Sequence, residues 1–393
     1  MQMPNGAERR PEDAWGTERG GDVGILTFHC ADNFGAMLQA YGLKHFLRGQ
    51  GVQADIVRYA PLFMTGRYWW APYVPASGLR GMAWSLLNMG EKFFQHLCAR
   101  REFAARKANM NRFRREYLID LHQPKIRLPS GLRRLPYRTY VVGSDQIWNP
   151  DITFGLRRVY FGAFQSAWKE RVVSYAASLG SASLPPRYDG EFARLVRHVD
   201  AVSLREAESV PYVKRFHPGE VAAVLDPVFL LERPAWEAIE RRPSRTGYIL
   251  VYVTERNPRM TAYMEALSQR TGLRVIELER AHMAVGFPTE LDRSAGPAEF
   301  LGYIHGADYV VTNSFHAAAF SILYQKRFLA FAHSRTNARI ENILRLHGLE
   351  DRLCWAGGDI DAPVDWEAVR ARTAAEARKS GAFLLKSLCQ GAE

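Results

Sequence analysis

The chain has 393 residues, of which 47% are hydrophobic and 12% aromatic, and it carries a formal net charge of +11. This composition is typical of a globular protein of about two domains, and it excludes a fibrous or broadly disordered chain. The positive charge indicates affinity for anions, but no helix-turn-helix, zinc-finger or RNP-type pattern is present, so we expect no nucleic-acid partner.

The N-terminal residues 1–21 are polar and rich in glycine and charge, which predicts a flexible tail. They lack the apolar core of a secretory signal, and no run of 18 apolar residues predicts a membrane span. The four cysteines, Cys30, Cys98, Cys354 and Cys389, form no CxxC pair, so neither a disulfide framework nor a zinc site is indicated. No acidic cluster suggests another metal. We therefore expect a cytoplasmic protein without a bound metal.

The N-terminal half predicts strands separated by helices and polar loops. The predicted strands are 22–28, 54–59, 140–142, 172–175, 202–204 and 221–225, and a helix is predicted over 37–47. After a predicted linker at 231–247 the alternation resumes. It comprises strands at 248–253, 274–279, 309–311 and 328–332, and helices at 258–271, 297–305, 317–324 and 365–388. This pattern predicts two Rossmann-like, doubly wound α/β domains around a cleft, covering residues 22–235 and 246–393.

An insertion at about 61–120 interrupts the N-terminal domain. It contains several aromatic residues followed by a basic helical run at 100–115. The aromatic residues are Trp69, Trp70, Tyr73, Trp84, Phe93 and Phe94. Two interpretations are open: a surface that contacts a membrane interface or a polyanion, and a solvated helix with its aromatic side chains packed inside.

Polar residues follow the predicted strands of the N-terminal half. Asn33 and Gly35 lie in the loop after the first strand, where Asn33 suits a turn or a helix cap and Gly35 allows a close approach of backbone. Other such residues are Ser144, Asp145, Gln146, Ser178 and Arg205. Arg205 can bind a carboxylate or phosphate through two parallel hydrogen bonds, or it can form a surface ion pair with Glu206 or Glu208. Asp145 suits either an acceptor hydroxyl or a helix cap.

In the C-terminal half the strand 309–311 ends in three polar residues, and a helix-like apolar run begins at Ala317. His316 therefore lies where a strand gives way to a helix, at the edge of the sheet where α/β proteins bind ligands. The amides of a helix start favour an anion. The alternative is a capping loop with a packed histidine.

Six sequence blocks together resemble one family. In chain order they are GILTFHCADNFGAMLQAYGLKHFL, YVVGSDQIWNP, YAASLGS, VSLREAES, VLDPVFLL and VTNSFHAAAFSILYQK, spanning about Val23 to Ala330. They resemble the polysaccharide pyruvyl transferase family. The resemblance implies a glycosyltransferase-B-like protein that moves the enolpyruvyl unit of phosphoenolpyruvate onto two hydroxyls of a sugar, with no other cofactor. The implied acceptor is a saccharide or a lipid-linked oligosaccharide of a cell-surface glycan, with possible peripheral contact at the inner face of the membrane.

The resemblance also implies roles for particular residues. Arg205 would bind the donor, together with the helix start at Ser314, His316 and Ala317, and His316 would act as acid or base, since histidine titrates near neutrality. The loop carrying Asn33 and Gly35 would face the cleft. Some family members have an arginine two positions before the histidine, where this chain has Ser314. A nucleotide-sugar glycosyltransferase and a non-catalytic glycan-assembly protein remain as alternatives.

Overall fold

The structure is a computed structural model that describes residues 23–66, 100–164, 170–255, 257–278, 289–332, 338–355 and 357–389. Within these residues the strands form two six-stranded sheets in which every pair of neighbours is parallel. The two sheets confirm the predicted α/β fold with two Rossmann-like domains.

The first sheet has the order β2-β1-β3-β4-β5-β6. Its strands are β1 Val23–Leu26, β2 Ala54–Ile56, β3 Thr139–Asp145, β4 Arg171–Ala177, β5 Val202–Leu204 and β6 Val221–Ala223. This is the 2-1-3-4-5 order of flavodoxin-like sheets with a sixth strand added. The connecting helices are α1 Phe34–Gly49, α2 Leu62–Gly66, α3 Arg100–Phe113, α4 Pro150–Thr153, α5 Asp189–Val196 and α6 Val210–Lys214.

The second sheet has the order β12-β11-β10-β7-β8-β9, which is the Rossmann order 3-2-1-4-5-6 read from its other edge. Its strands are β7 Tyr248–Tyr252, β8 Arg274–Leu278, β9 Thr289–Asp292, β10 Tyr309–Thr312, β11 Arg327–Phe331 and β12 Leu353–Cys354. Its helices are α7 Arg233–Glu237, α8 Pro258–Thr271, α9 Pro297–Gly306, α10 Phe315–Leu323, α11 Ala338–His347 and α12 Trp366–Cys389. The topological switch point lies between β7 and β10.

Helix α1 joins the two halves. Phe34, its first residue, stacks on Phe300 of α9 with ring centroids 4.9 Å apart and lies 5.5 Å from the ring of Tyr252. A side chain at Gly42 would meet the carbonyl oxygen of Pro227 at 2.6 Å, so the helix needs glycine there to lie against the turn at 227–230. One hydrophobic core therefore runs from the first domain into the second.

The described part of the insertion also bridges the halves. Helix α3 continues into a π-helical turn at Arg114–Leu118. Lys107 and Arg114 bind Asp32 at 2.8 Å and 2.5 Å, and Arg112 binds Glu299 of α9 at 2.7 Å. These basic side chains are thus paired inside the protein. The six predicted aromatic residues of 67–99 lie outside the described residues.

The last helix, predicted as part of the second domain, contacts both halves of the chain, and Arg372 Nη1 donates to the carbonyl oxygen of His347 in α11 at 2.9 Å. The carbonyl oxygen of Ser387 accepts a hydrogen bond from Arg171 Nε at 2.6 Å, and Ser380 Oγ accepts one from the amide of Leu225 at 3.0 Å. The predicted linker 231–247 also contains helix α7, because Pro234 suits the first turn of a helix. Among the described helices, none has the length and apolar character needed to cross a bilayer.

Candidate active site

The carboxyl ends of the two sheets face each other. Arg205 follows β5, Asp226 follows β6, and His316 lies in the first turn of α10 directly after β10. The atom Asp226 Oδ2 lies 2.9 Å from Arg205 Nη1 and 3.9 Å from His316 Nε2. The two residues predicted to act on the donor, one from each domain, therefore share one buried carboxylate.

Arg205 is buried, which overturns the interpretation of a surface ion pair. Its guanidinium lies over the ring of Phe315 at 4.8 Å, and Nη1 donates a hydrogen bond to Asp226. Its Nε and Nη2 have no hydrogen-bond partner among the described residues, although Glu206 lies 3.5 Å from Nε and Asp145 lies 3.8 Å from Nη2. The Nε–Nη2 edge is the fork with which arginine binds a planar anion.

Asp226 orients this arrangement. It is 2% exposed, and its Oδ1 accepts a hydrogen bond from the amide of Val228 at 3.1 Å. Ser144, which is fully buried, donates to the carbonyl oxygen of Ala176 at 2.9 Å and approaches Asp226 Oδ2 at 3.4 Å. Because its hydroxyl is buried, Ser144 cannot contact an acceptor sugar. It therefore contributes to the site by positioning Asp226.

His316 is enclosed, and its Nε2 has no hydrogen-bond partner in the described part of the chain. Burial, together with the charges of Arg205 and Arg339, lowers the pKa of His316 to about 3, while Asp145 acts in the opposite direction. Desolvation disfavours the imidazolium, so the pKa of His316 lies below the near-neutral value expected from the sequence. His316 is therefore neutral at physiological pH.

The helix start beside His316 is buried and lacks a side-chain cap. Ser314 is the N-cap residue of α10, and it makes no side-chain capping bond to the first-turn amides, which include that of Ala317. Asn313, just before it, accepts a hydrogen bond from the amide of Thr254 at 2.7 Å and so ties β10 to β7 across the switch point. This is the position at which open α/β sheets bind ligands.

Asn33 and Gly35 reach the same place from α1. Asn33 is the N-cap of α1, and its Oδ1 accepts the amide of Ala36 at 3.1 Å, which confirms the capping interpretation. A side chain at Gly35 would lie 2.0 Å from His316 Nδ1. Gly35 is therefore required for α1 to approach the imidazole so closely.

The remaining predicted residues line the N-terminal side. Asp145 and Gln146 are half-buried, and Asp145 has a left-handed backbone with φ of 72°, a conformation that is often found at functional sites. Asp145 does not cap a helix, since Asn149 caps α4. Ser178 is fully buried and donates to Glu206 Oε1 at 2.5 Å. Asn33, Asp145 and Gln146 can contact a ligand, whereas Ser178 positions Glu206.

Sequence reasoning missed Arg339, at the start of α11. Asn342, three residues on, donates from Nδ2 to the carbonyl oxygen of Arg205 at 3.3 Å, and Arg345 lies 3.5 Å from Glu208. This spacing puts Arg339 on the helix face that covers the 205–208 turn. Its Nε is buried without a hydrogen-bond partner among the described residues, and burial and the charge of Arg205 lower the pKa of Arg339 to about 10.

The charges of the site leave a small negative excess. Asp145, Glu206 and Asp226 face Arg205 and Arg339, so the site carries one negative charge when His316 is neutral. The described residues contain no group of three or more histidine, cysteine or acidic side chains that could hold a metal ion. A cavity of about 680 Å³ lies elsewhere in the N-terminal domain, and none of these residues lines it.

The family model described as polysaccharide pyruvyl transferase matches residues 33–335, a span that contains all the predicted site residues and ends four residues before Arg339. Comparison with curated proteins gave no match.

Similar solved structures have low identity. A putative UDP-N-acetylglucosamine 2-epimerase from Listeria monocytogenes is 11% identical, over 93% of this chain and 91% of that one, with a TM-score of 0.46. The UDP-GlcNAc 2-epimerase from Neisseria meningitidis bound to UDP-GlcNAc is 10% identical, over 94% and 99%, with a TM-score of 0.46. The glycosyltransferase SnogD from Streptomyces nogalater is 13% identical, over 94% and 100%, with a TM-score of 0.40. At these values the likenesses carry no information on ligand or activity.

Proposed function

The chain belongs to the polysaccharide pyruvyl transferase family, and from this premise we propose that it transfers the enolpyruvyl unit of phosphoenolpyruvate to two hydroxyls of a sugar. The products are a pyruvate ketal and inorganic phosphate. The observation that carries the proposal is the meeting of Arg205 and His316 at Asp226 in one enclosed site, with a guanidinium edge and an imidazole nitrogen that make no hydrogen bond to the described residues.

The donor carries a carboxylate and a phosphate. The Nε–Nη2 edge of Arg205 suits one of these groups, and the first-turn amides of α10 suit the other. Arg339 adds a second guanidinium from α11, and its buried Nε has no partner of its own. This residue can serve in place of the arginine that some family members have at the position of Ser314.

The chemistry requires a proton at C3 of the donor before C2 can be attacked. Before the donor binds, His316 is neutral, and the donor brings up to three negative charges into a site that is already one charge negative. Binding therefore favours uptake of a proton, and His316 Nε2 is free to take it. His316 then donates this proton to C3, a role that contributes about 10²–10⁴ in rate.

The acceptor binds on the N-terminal side, where Asn33, Asp145 and Gln146 are half-buried. Asp145 accepts the proton of the first hydroxyl as its oxygen attacks C2. The C2–O bond to phosphate then breaks, and the second hydroxyl closes the ketal. Of the two hydroxyl protons, one returns to His316 in place of the proton that His316 gave to C3. The other leaves with the phosphate, so the protons balance.

The acceptor class is a saccharide of a cell-surface glycan or its lipid-linked precursor, and the protein works in the cytoplasm, with peripheral contact at the inner face of the membrane. Phosphoenolpyruvate is a co-substrate, and no further cofactor is invoked.

The test is thermal stabilisation by phosphoenolpyruvate measured beside a panel of nucleotide sugars, followed by phosphate release with a sugar panel. We expect phosphoenolpyruvate to raise the melting temperature and the nucleotide sugars to leave it unchanged. Phosphate should be released only when an acceptor sugar is present. Stabilisation by a nucleotide sugar, with sugar transfer, would instead identify a glycosyltransferase.

A further inference from the structure

The cavity of about 680 Å³ in the N-terminal domain lies between the chain after β2 and the segments around Arg127 and Arg158. We call it the arginine groove and define it by Leu62, Phe63, Arg127, Leu128, Arg133 and Arg158. The proposed reaction uses none of these residues.

Large apolar side chains are exposed at this groove. Within the described residues only five large hydrophobic side chains are exposed, and two of them, Leu62 at 68% and Leu128 at 69%, line the groove. A third, Phe154 at 53%, packs edge-on against Phe63 with ring centroids 6.4 Å apart. Such a concentration of exposed apolar surface is typical of a docking site.

The charged side chains of the groove are almost all cationic. Arg127, Arg133 and Arg158 are exposed, and no ion pair joins any of them to a carboxylate of the described chain. Arg157 lies over the ring of Phe63 at 4.7 Å, which keeps a fourth guanidinium at the rim. Glu191 is the only acidic residue among the described lining residues. The groove is thus complementary to an anionic surface.

The groove contrasts with helix α3, the basic helix of the insertion. There, three of the basic side chains already bind carboxylates of the protein, as Lys107, Arg112 and Arg114 do. An anionic partner would have to break these pairs, whereas the arginines of the groove are free to bind it.

The groove is connected to the acceptor side of the active site through packed rings. Tyr59 lines the groove and lies 6.3 Å from the ring of Tyr160, which in turn lies 5.3 Å from the ring of Phe28. Phe28 belongs to the loop that runs from β1 to Asn33. A surface docked at the groove would therefore lie on the same domain as the residues proposed to hold the acceptor.

We propose that the arginine groove docks the protein on an anionic phospholipid bilayer. Leu62, Leu128 and Phe154 enter the interface, and the exposed arginines bind lipid phosphates. A nucleic acid would neutralise the arginines but leave the two leucines in water, so the bilayer matches more of the surface. The inference rests on the proposed function in one respect: docking would give the active site access to a lipid-linked acceptor. Docking itself requires no turnover.

The test is co-flotation of the purified full chain with vesicles of phosphatidylglycerol and phosphatidylcholine, beside vesicles of phosphatidylcholine alone. We expect binding to the anionic vesicles that weakens with added salt. The double variant Arg127→Gln/Arg133→Gln should bind about 25-fold more weakly, at about fivefold per charge near the membrane. The matched control Arg370→Gln/Arg378→Gln removes two exposed arginines of α12 and should bind like the wild type.

The separate variant Leu128→Ser tests the apolar contribution, and it should weaken binding without changing the salt dependence. Failure of the wild type to float with anionic vesicles would overturn the proposal, as would equal effects of the two double variants. Tighter binding of a single-stranded oligonucleotide, weakened by the same substitutions, would assign the groove to nucleic acid instead. Since flotation is independent of phosphate release, its outcome is separate from that of the proposed function.

Discussion

Arg339→Ala is the substitution that tests the proposed donor pocket most specifically. The side chain of Arg339 is half-buried with its Nε enclosed and unpartnered, and its neighbour Asn342 holds the helix against the backbone of Arg205. If Arg339 binds the donor, its removal costs one charge-assisted hydrogen bond, about 1.5–3 kcal/mol. That free energy corresponds to about a 10- to 150-fold rise in the donor dissociation constant.

The assay is calorimetric titration with phosphoenolpyruvate, beside donor KM from phosphate release. The control Arg345→Ala removes an exposed arginine of the same helix, which lies 3.5 Å from Glu208, and should leave the donor dissociation constant within about twofold. Because the charge of Arg339 contributes to the low pKa of His316, Arg339→Ala should also raise that pKa and shift the alkaline limb of the kcat/KM profile, where the proton donor is lost, toward higher pH.

A second substitution tests whether Arg339 replaces the arginine that Ser314 lacks. Ser314→Arg in the Arg339→Ala background returns a guanidinium beside His316, at the start of α10, and should restore part of the donor affinity. A folded Arg339→Ala protein with wild-type donor affinity, or an equal loss in Arg345→Ala, would refute the reasoning.

Other substitutions address the remaining parts of the site. His316→Ala should lower kcat by about 10²–10⁴ with an unchanged circular dichroism spectrum, and near-normal turnover would remove His316 from the mechanism. Arg205→Lys keeps the charge but loses the fork, so donor KM should rise more than tenfold with a smaller fall in kcat; an unchanged KM would contradict donor binding by Arg205. Gly35→Ala places a carbon 2.0 Å from His316 Nδ1 and should displace the imidazole, lowering kcat by about 10² while the donor dissociation constant changes little. Because the pKa of His316 is about 3 when folded and 6.5 when unfolded, the wild type should lose stability as pH falls below 6.5. His316→Asn should show a smaller fall in melting temperature between pH 7 and pH 5, and parallel curves would argue against a neutral, buried histidine.

The strand ends of the candidate site were predictable from sequence. Each of Asp145, Ser178, Arg205 and His316 follows an apolar run, and the carboxyl ends of parallel strands meet at one edge of a sheet. The structure brings all four to the same place, together with the loop that carries Gly35.

Other features depended on tertiary contacts that no local pattern carries. Asp226 follows the predicted strand 221–225 and precedes a proline, a pattern that indicates only the end of a strand, although Asp226 contacts both Arg205 and His316. Arg339 lies in a helix without a motif, and only the packing of α11 on the 205–208 turn brings it to the site. The low pKa of His316 follows from burial, which sequence does not report. Helix α12 was predicted, but helical periodicity does not identify the sheet on which a helix packs.

The central claim is that phosphoenolpyruvate, a small anionic enol phosphate, reacts with two sugar hydroxyls at Arg205 and His316. The most direct measurement is mass spectrometry of a sugar panel incubated with the protein and phosphoenolpyruvate, with phosphate measured in the same samples. The account predicts that one sugar gains C₃H₂O₂ and that phosphoenolpyruvate releases one phosphate for each ketal formed. Neither change should occur with His316→Ala. Phosphate release that does not require His316, or transfer of a sugar from a nucleotide donor with no reaction of phosphoenolpyruvate, would contradict it.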